Sequence, residues 1–209
     1  MQDGMYYAKR FQEEGVDALE GLAGTWKKEA SMEDIPDSGS PKGQAIGLCM
    51  ALKMGIQQMT GKPAAIKMIG GGRAQDPAVA EAALASGQCD FIFIGKGVLV
   101  QPDLVNLIEQ DREEEIRPCL GCGVCIDVQL QDGACARCSG NAVLGNGDND
   151  YTIPPAQKSK KVIVVGGGVA GVEAARIAAV RGHQVSLYEK ADKIGGQIFY
   201  AAAPPHKEN

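Results

Sequence analysis

Apolar positions along this chain follow two rhythms. From Met5 to Glu14 and again from Ala45 to Met59 they recur at helical spacing, closed by Gly15 in the first case and by Gly61-Lys62-Pro63 in the second. Between and after these helices come short apolar runs, Ala18–Leu22, Ala64–Ile69 and Phe91–Ile94, which predict strands. Asp76 and Pro77 stand as cap and first-turn residue before a helix over Ala78–Ser86 that Gly87 ends. An acidic helix is expected over Asp103–Ile116. Strand alternating with helix at this spacing is the pattern of parallel βα units. A polar connection, Ala142–Lys161, with Pro154 and Pro155, then reads as an inter-domain linker. Beyond it lie a strand (Lys161–Val165), an alanine-rich helix through Val180, and a second strand (Gln184–Tyr188).

Composition narrows the choices. At 209 residues, 44% hydrophobic and 22% charged, the chain has material for one or two cored domains. A net charge of −5 argues against nucleic acid as a main partner, because a phosphate backbone requires a basic footprint. The most apolar long segment, Val162–Val180, is broken by Glu173 and Arg176, and Asp3, Lys9 and Arg10 stand where a secretion signal would need apolar residues. No membrane partner and a reducing cytoplasm are therefore expected. The outlier is glycine, with 28 residues, and its placement matters.

Two strand ends in the first half open into glycine and one cation each: Gly70-Gly71-Gly72-Arg73 after Ile69, and Gly95-Lys96-Gly97 after Ile94. Bare backbone offers N–H donors to a phosphate, and Arg73 and Lys96 offer charge, so Gly71, Gly72, Arg73, Gly95 and Lys96 are candidate cofactor residues. In a (β/α)8 barrel the loops after the last two strands commonly form such a site. In the second half, Gly166-x-Gly168-x-x-Gly171 follows directly on a strand and opens a helix. That context makes it a dinucleotide fingerprint: Gly166 for the tight turn, Gly168 for approach to a pyrophosphate, Gly171 for helix–strand packing. Glu189, at the end of the second strand, is placed to accept hydrogen bonds from a ribose.

Five of the seven cysteines fall between Cys119 and Cys138. In a chain without a secretion signal, this crowding points to metal or redox chemistry. Cys119, Cys122, Cys125 and Cys138 form C-x2-C-x2-C-x12-C, an iron–sulfur spacing, with Gly121 and Gly123 permitting one tight loop. Cys119, Cys122, Cys135 and Cys138 instead form two knuckles suited to structural zinc. Both readings stand on spacing. Cys49 and Cys89 lie on apolar segments and read as small buried hydrophobes, Lys27 and Lys28 as solvated loop charges, and His183 and His206 as residues without a chemical partner.

The stretches RPCLGCGVC, CSGNAVLG, KKVIVVGGGVAGVEAARIAAVRGHQVSLYEKADKIGGQ and AAAPPHKE resemble the NADH:flavin oxidoreductases that include 2,4-dienoyl-CoA reductase and trimethylamine dehydrogenase. The resemblance implies an α/β chain in four parts. Residues 1–117 would be the last three βα units of an old yellow enzyme-type (β/α)8 barrel, 118–142 an iron–sulfur segment, 143–160 a linker, and 161–209 the first βαβ unit of a Rossmann-like flavin domain. The chain would then be an internal fragment of a larger enzyme, inactive alone. The implied cofactors are a 4Fe-4S cluster on Cys119, Cys122, Cys125 and Cys138, with Cys135 spare; FMN in the barrel; and FAD, or ADP, at the glycine fingerprint. The Gly195-Gly196-Gln197 continuation favours FAD, with Gly196 and Gln197 among its contacts.

The implied reaction passes hydride from NAD(P)H to FAD, relays electrons singly through the cluster, and reduces an activated double bond of an enoate, enoyl-CoA or enone at FMN. The alternatives are an amine dehydrogenase of the same family and a non-catalytic electron-transfer or metal-binding module. Three departures limit the transfer. Lys27 follows Trp26 where dienoyl-CoA reductases carry histidine, Lys96 replaces the usual arginine of the last barrel loop, and Ala142 stands where proline is usual. No catalytic residue, substrate or oligomeric state follows from the residues.

Overall fold

The structure, a computed structural model, describes residues 2–22, 38–132, 135–145 and 153–204. The expectations for Trp26, Lys27, Lys28 and His206 lie outside them. Contacts divide the chain into two compact units, Met1–Ala142 and Val143–Asn209.

In the first unit, α1 (Gln2–Glu13) leads into β1 (Ala18–Glu20). There follow α2 (Gln44–Thr60), β2 (Lys67–Gly70), α3 (Pro77–Ala85) and β3 (Phe91–Ile92). The strands form one parallel sheet in the order β1-β2-β3, with Ala18 opposite Lys67 and Ile69 opposite Phe91. Parallel neighbours require crossovers, which α2 and α3 provide. The Asp76 side chain accepts the Ala78 N–H at 3.2 Å, and Pro77 stands in the first turn of α3, where its missing donor is no loss. Ile46, Cys49, Ile56, Met68 and Cys89, each no more than 4% exposed, make the core. Burial pushes the Cys49 and Cys89 thiols above their ordinary range, as inert core residues require.

Several elements depart from the periodicity. The run Ala64–Ile69 pairs only from Lys67, because β1 begins at Ala18 and offers no partner before it; Ile66 is buried without joining the ladder. Strands expected over Ala18–Leu22 and Phe91–Ile94 pair only over Ala18–Glu20 and Phe91–Ile92. A short helix that the periodicity did not mark, α4 (Lys96–Val100), follows β3, and the single acidic helix expected over Asp103–Ile116 is broken: α5 (Leu104–Glu109) precedes Asp111, whose φ of 54° ends the helical path, and a 3-10 turn follows at Glu113–Glu115. The cysteine stretch is not all loop, since α6 (Val124–Asp132) carries Cys125 in its first turn.

The second unit contains β4 (Lys161–Val165), α7 (Val169–Val180), β5 (Gln184–Tyr188) and a short α8 (Ile198–Ala201). β4 and β5 pair in parallel over five residues, Lys161 opposite Gln184 through Val165 opposite Tyr188. Alternate residues face apart. Val162, Val164, Val185 and Leu187 are half-buried, whereas Ile163 is 68% and Val165 86% exposed, so one face of this sheet is bare among the described residues. The preceding segment is tied to the same unit: the Ser159 hydroxyl donates to the Gly182 carbonyl at 2.7 Å, and the Lys160 N–H to Nδ1 of His183 at 3.2 Å. His183 thus holds a turn. Among the described residues no helix is long and apolar enough to cross a membrane.

Candidate functional site

Cys119, Cys122, Cys125 and Cys138 line one cavity, together with Lys96, Leu99, Val100 and Gly140. Gly121 and Gly123, at φ 64° and 78°, turn the backbone between the first three thiols as only glycine does without strain. The Gly123 carbonyl then accepts the N–H groups of Ile126 (2.8 Å) and Asp127 (3.1 Å), which starts α6 and fixes Cys125 in a buried position. Cys122 is exposed and donates to Ser139 Oγ at 3.5 Å. Cys135 is exposed and lies off the cavity wall. Burial pushes the Cys125 thiol up; the Lys96 ammonium pulls against this, and Cys119, Cys122 and Cys138 add to it. Among the described residues, no three His, Cys, Asp or Glu side chains converge as the ligands of one ion would.

The two glycine loops of the first unit lie beside each other, because β2 and β3 are parallel neighbours. Their cations part company. Arg73, in the left-handed region at φ 55°, donates Nη1 to the carbonyls of Ser38 (2.8 Å) and Ser40, while Lys96 joins the cysteine cavity. The loop carbonyls are also used: Gly72 accepts from Gly43 at 2.7 Å and Gly71 from Ala45 at 3.1 Å, closing the start of α2. A Cβ on Gly71 would meet Phe93 at 2.6 Å, whereas one on Gly95 would meet nothing within 4 Å.

In the second unit Gly166 turns at φ 103° between β4 and α7. A Cβ on Gly171 would lie 1.9 Å from the Gly166 carbonyl oxygen, and one on Gly168 would face open space. Glu189 accepts from Ala191 N–H at 2.9 Å and Gly167 N–H at 2.6 Å, and these donors hold its carboxyl below the usual range. Gly195 pairs with Gly168, and its N–H reaches the Gly167 carbonyl at 2.7 Å. This lays Gly196 and Gln197 alongside the glycine turn: a Cβ on Gly196 would come within 3.2 Å of the Gly168 Cα.

Sequence reasoning did not anticipate Gln101 and Arg117 beside the cysteines. Their contacts, Arg117 Nε to Gln101 Oε1 at 2.8 Å and Arg117 Nη1 to the Gly140 carbonyl at 3.1 Å, join residues 16 and 23 positions apart. No periodic pattern marks them.

Two parallel α/β units, a glycine turn with a terminal carboxylate and a ring of thiols are the parts of a redox protein built around nucleotide cofactors. Residues 161–209 match the family model described as FAD dependent oxidoreductase. The chain is 34% identical over 207 residues to cinnamate reductase of Clostridium sporogenes, covering 99% of this chain and 30% of that protein. It is 35% identical over 208 residues to NADH oxidase of Thermoanaerobacter brockii, again covering 99% and 30%. Among solved structures it is similar to histamine dehydrogenase from Rhizobium sp. 4-9, at TM-score 0.77 and 27% identity, covering 97% of this chain and 29% of that one. The chain belongs to the NADH:flavin oxidoreductase family. It spans about 30% of the length of the curated relatives it matches.

Proposed function

We propose that this chain is the cluster-holding and nucleotide-binding part of an NAD(P)H-dependent oxidoreductase carrying FMN, a 4Fe-4S cluster and FAD. The observation that carries it is the cavity ringed by Cys119, Cys122, Cys125 and Cys138, with Cys135 outside. A zinc site of two knuckles needs Cys135 and has no use for Cys125. Four thiols, with no carboxylate among the described lining residues, match the soft donor set of an iron–sulfur centre. The cavity, about 20 Å³, is smaller than a cluster, so seating one requires the thiols to turn about χ1; exposed Cys122 has room to do so.

The parallel β1-β2-β3 sheet with its crossover helices supports reading 1–117 as the last βα units of a (β/α)8 barrel. The parallel β4–α7–β5 arrangement with its glycine turn supports reading 161–209 as the start of a Rossmann-like flavin domain, joined through 143–160 to a cluster segment at 118–142. When bound, a thiolate-held cluster supplies one-electron transfer and a flavin supplies hydride transfer. This chain's own residues orient and exclude. Gly168 leaves room for a pyrophosphate at the start of α7, and Gly171 lets that helix sit close to β4. Glu189, kept ionised, is an acceptor for ribose hydroxyls. Gly72 and Gly95, on adjacent loops, would offer backbone N–H groups to the FMN phosphate, with Gly71 packed on Phe93 behind them; Arg73, held on the Ser38 and Ser40 carbonyls, and Lys96, on the cysteine cavity, would have to turn toward it to add their charge.

For the whole protein, likeness to cinnamate reductase supports reduction of an activated C=C bond in an enoate, enoyl-CoA or enone. Likeness to histamine dehydrogenase supports amine oxidation as the second reading. Anaerobic reconstitution with iron and sulfide tests the centre: the visible chromophore is expected in the wild type and in Cys135→Ser, and lost in Cys125→Ser. A colourless protein that binds zinc, and releases it in Cys135→Ser, overturns it. Assay of the whole protein with NADH and an enoate, against an amine with an artificial acceptor, separates the two reactions.

A further inference from the structure

Cys138 stands thirteen positions beyond Cys125, past the end of α6, so local geometry gives no reason for it to share a cavity with the other three. The neighbouring side chains do. Asn141, 2% exposed, donates Nδ2 to the Leu99 carbonyl at 2.9 Å, and its N–H closes the turn on the Cys138 carbonyl at 3.3 Å. Arg117, two positions before Cys119, spans to the same turn: its Nε donates to Gln101 Oε1 at 2.8 Å and its Nη1 to the Gly140 carbonyl at 3.1 Å. Gln101 is itself only 8% exposed, and its Oε1 also accepts the Arg117 N–H at 3.4 Å. Gly140 sits so close to the same helix that a Cβ there would lie 2.7 Å from Val100 Cγ2. The 138–141 turn is therefore tied on one side to the end of α4 and on the other to the chain entering Cys119.

We propose that Arg117, Gln101 and Asn141 form a positioning brace that holds the Cys138 turn on the wall of the cavity that Cys119, Cys122 and Cys125 also line, so that the four thiols need only side-chain rotation when iron arrives. The inference rests on the reading of those four as the cluster's ligands. Its physical basis is the fork of the guanidinium, which makes two directed contacts from one rigid plane, and the burial of Gln101 and Asn141, where a hydrogen bond lost is not replaced by water. Outer residues that orient metal ligands commonly carry about 10- to 100-fold in metal affinity. The brace touches no reacting atom.

The test uses the whole chain and four variants: Asn141→Ala, Arg117→Gln, Arg117→Lys and Gln101→Leu. In the reduced, metal-free protein, alkylation of each cysteine is followed by mass spectrometry, with exposed Cys135 as internal reference and buried Cys89 as reporter of an intact core. Labelling of Cys138 relative to Cys135 is expected to rise several-fold in Asn141→Ala, Arg117→Gln and Gln101→Leu, and less in Arg117→Lys, which keeps one donor direction. Cys89 stays protected. After anaerobic reconstitution, the same variants are expected to hold iron about 10- to 100-fold more weakly. On mild oxidation they should release one iron, read as the paramagnetic signal of a three-iron cluster, which marks loss of one ligand rather than general loosening.

Wild-type labelling of Cys138 and a wild-type cluster in Asn141→Ala and Arg117→Gln, with Cys89 protected, overturn the brace. If those two unfold, as Cys89 labelling reports, Arg117→Lys decides by the same two readouts. A wild type that takes up no iron, while the variants still unmask Cys138, removes the ligand assignment and leaves the brace standing.

Discussion

Gly171 is the position where one methyl group meets backbone. An added Cβ would stand 1.9 Å from the Gly166 carbonyl oxygen and 3.0 Å from its carbon. Neither is a flexible side-chain tip, so Gly171→Ala forces α7 and the glycine turn apart by at least about 1 Å. Overpacking of this kind costs about 1–3 kcal/mol, occasionally more. Alanine returns up to about 1 kcal/mol in helix propensity, less this near the start of α7. The balance is a loss of about 1–2 kcal/mol, a large share of what a unit this small holds in reserve. Gly168→Ala is the matched control: φ −72° and ψ 179° suit any residue, and its Cβ meets nothing within 4 Å. It should leave stability within about 0.5 kcal/mol of wild type yet weaken ADP binding, because the methyl points where a pyrophosphate approaches. Hydrogen exchange over residues 161–188 in urea reads the first effect and calorimetry with ADP the second. Equal protection in the two variants, or a Gly171→Ala unit as stable as wild type, would refute the packing argument.

Two further outcomes follow from the first unit. Asp76→Ala removes the cap on the Ala78 N–H and the 2.8 Å ion pair with Lys42; the cap accounts for about 1 kcal/mol, and the exposed pair adds little, so a Lys42→Ala, Asp76→Ala cycle should show coupling under about 1 kcal/mol. Asp90 is partly desolvated, which raises its carboxyl, but Lys53 at 2.9 Å, the Met68 N–H at 2.8 Å and Lys67 at 3.5 Å outweigh this and leave it below the ordinary range. A carboxyl depressed in the folded state stabilises above its unfolded value, about 3.9, and that contribution is lost as pH falls below about 4 through the folded value. Asp90→Asn should flatten the acid limb of the urea midpoint below about pH 4; an unchanged slope would remove Asp90 from the acid response.

What could be read from the chain depended on how local the deciding interaction is. β4 and β5 fall where periodicity puts them, because each is a five-residue apolar run whose partner follows one helix later. In the first unit, pairing rather than hydrophobicity sets the strand ends, so Ala64–Ile66 reads as strand and is not. The broken acidic helix turns on one left-handed residue, Asp111, a type that signals such a stop far less reliably than glycine. The cysteine spacing was legible. The residues that bring Cys138 to the others were not, since Asn141 acts on Leu99 from 42 positions away and Arg117 on Gly140 from 23.

The glycines at the strand ends show why a bare loop is ambiguous. In sequence, Gly71, Gly97 and Gly171 look no different from Gly95, Gly166 and Gly168. In space they divide. The Cβ positions of the first three are taken by Phe93, by Ile94 and Gln75, and by the Gly166 carbonyl, so glycine there serves close packing. The other three open onto nothing within 4 Å, and only there does the missing side chain leave a ligand room to approach. Each open glycine also sits beside a packed one in the same turn, as Gly95 does with Gly97 and Gly168 with Gly171. The packed member fixes the helix start against its strand, and the open member exposes backbone at that fixed place. A substitution that weakens cofactor binding therefore identifies a contact only at Gly95 or Gly168; at Gly166, whose φ of 103° strains any side chain, the loss also follows from distorting the turn, and at Gly71, Gly97 or Gly171 it follows from moving the helix.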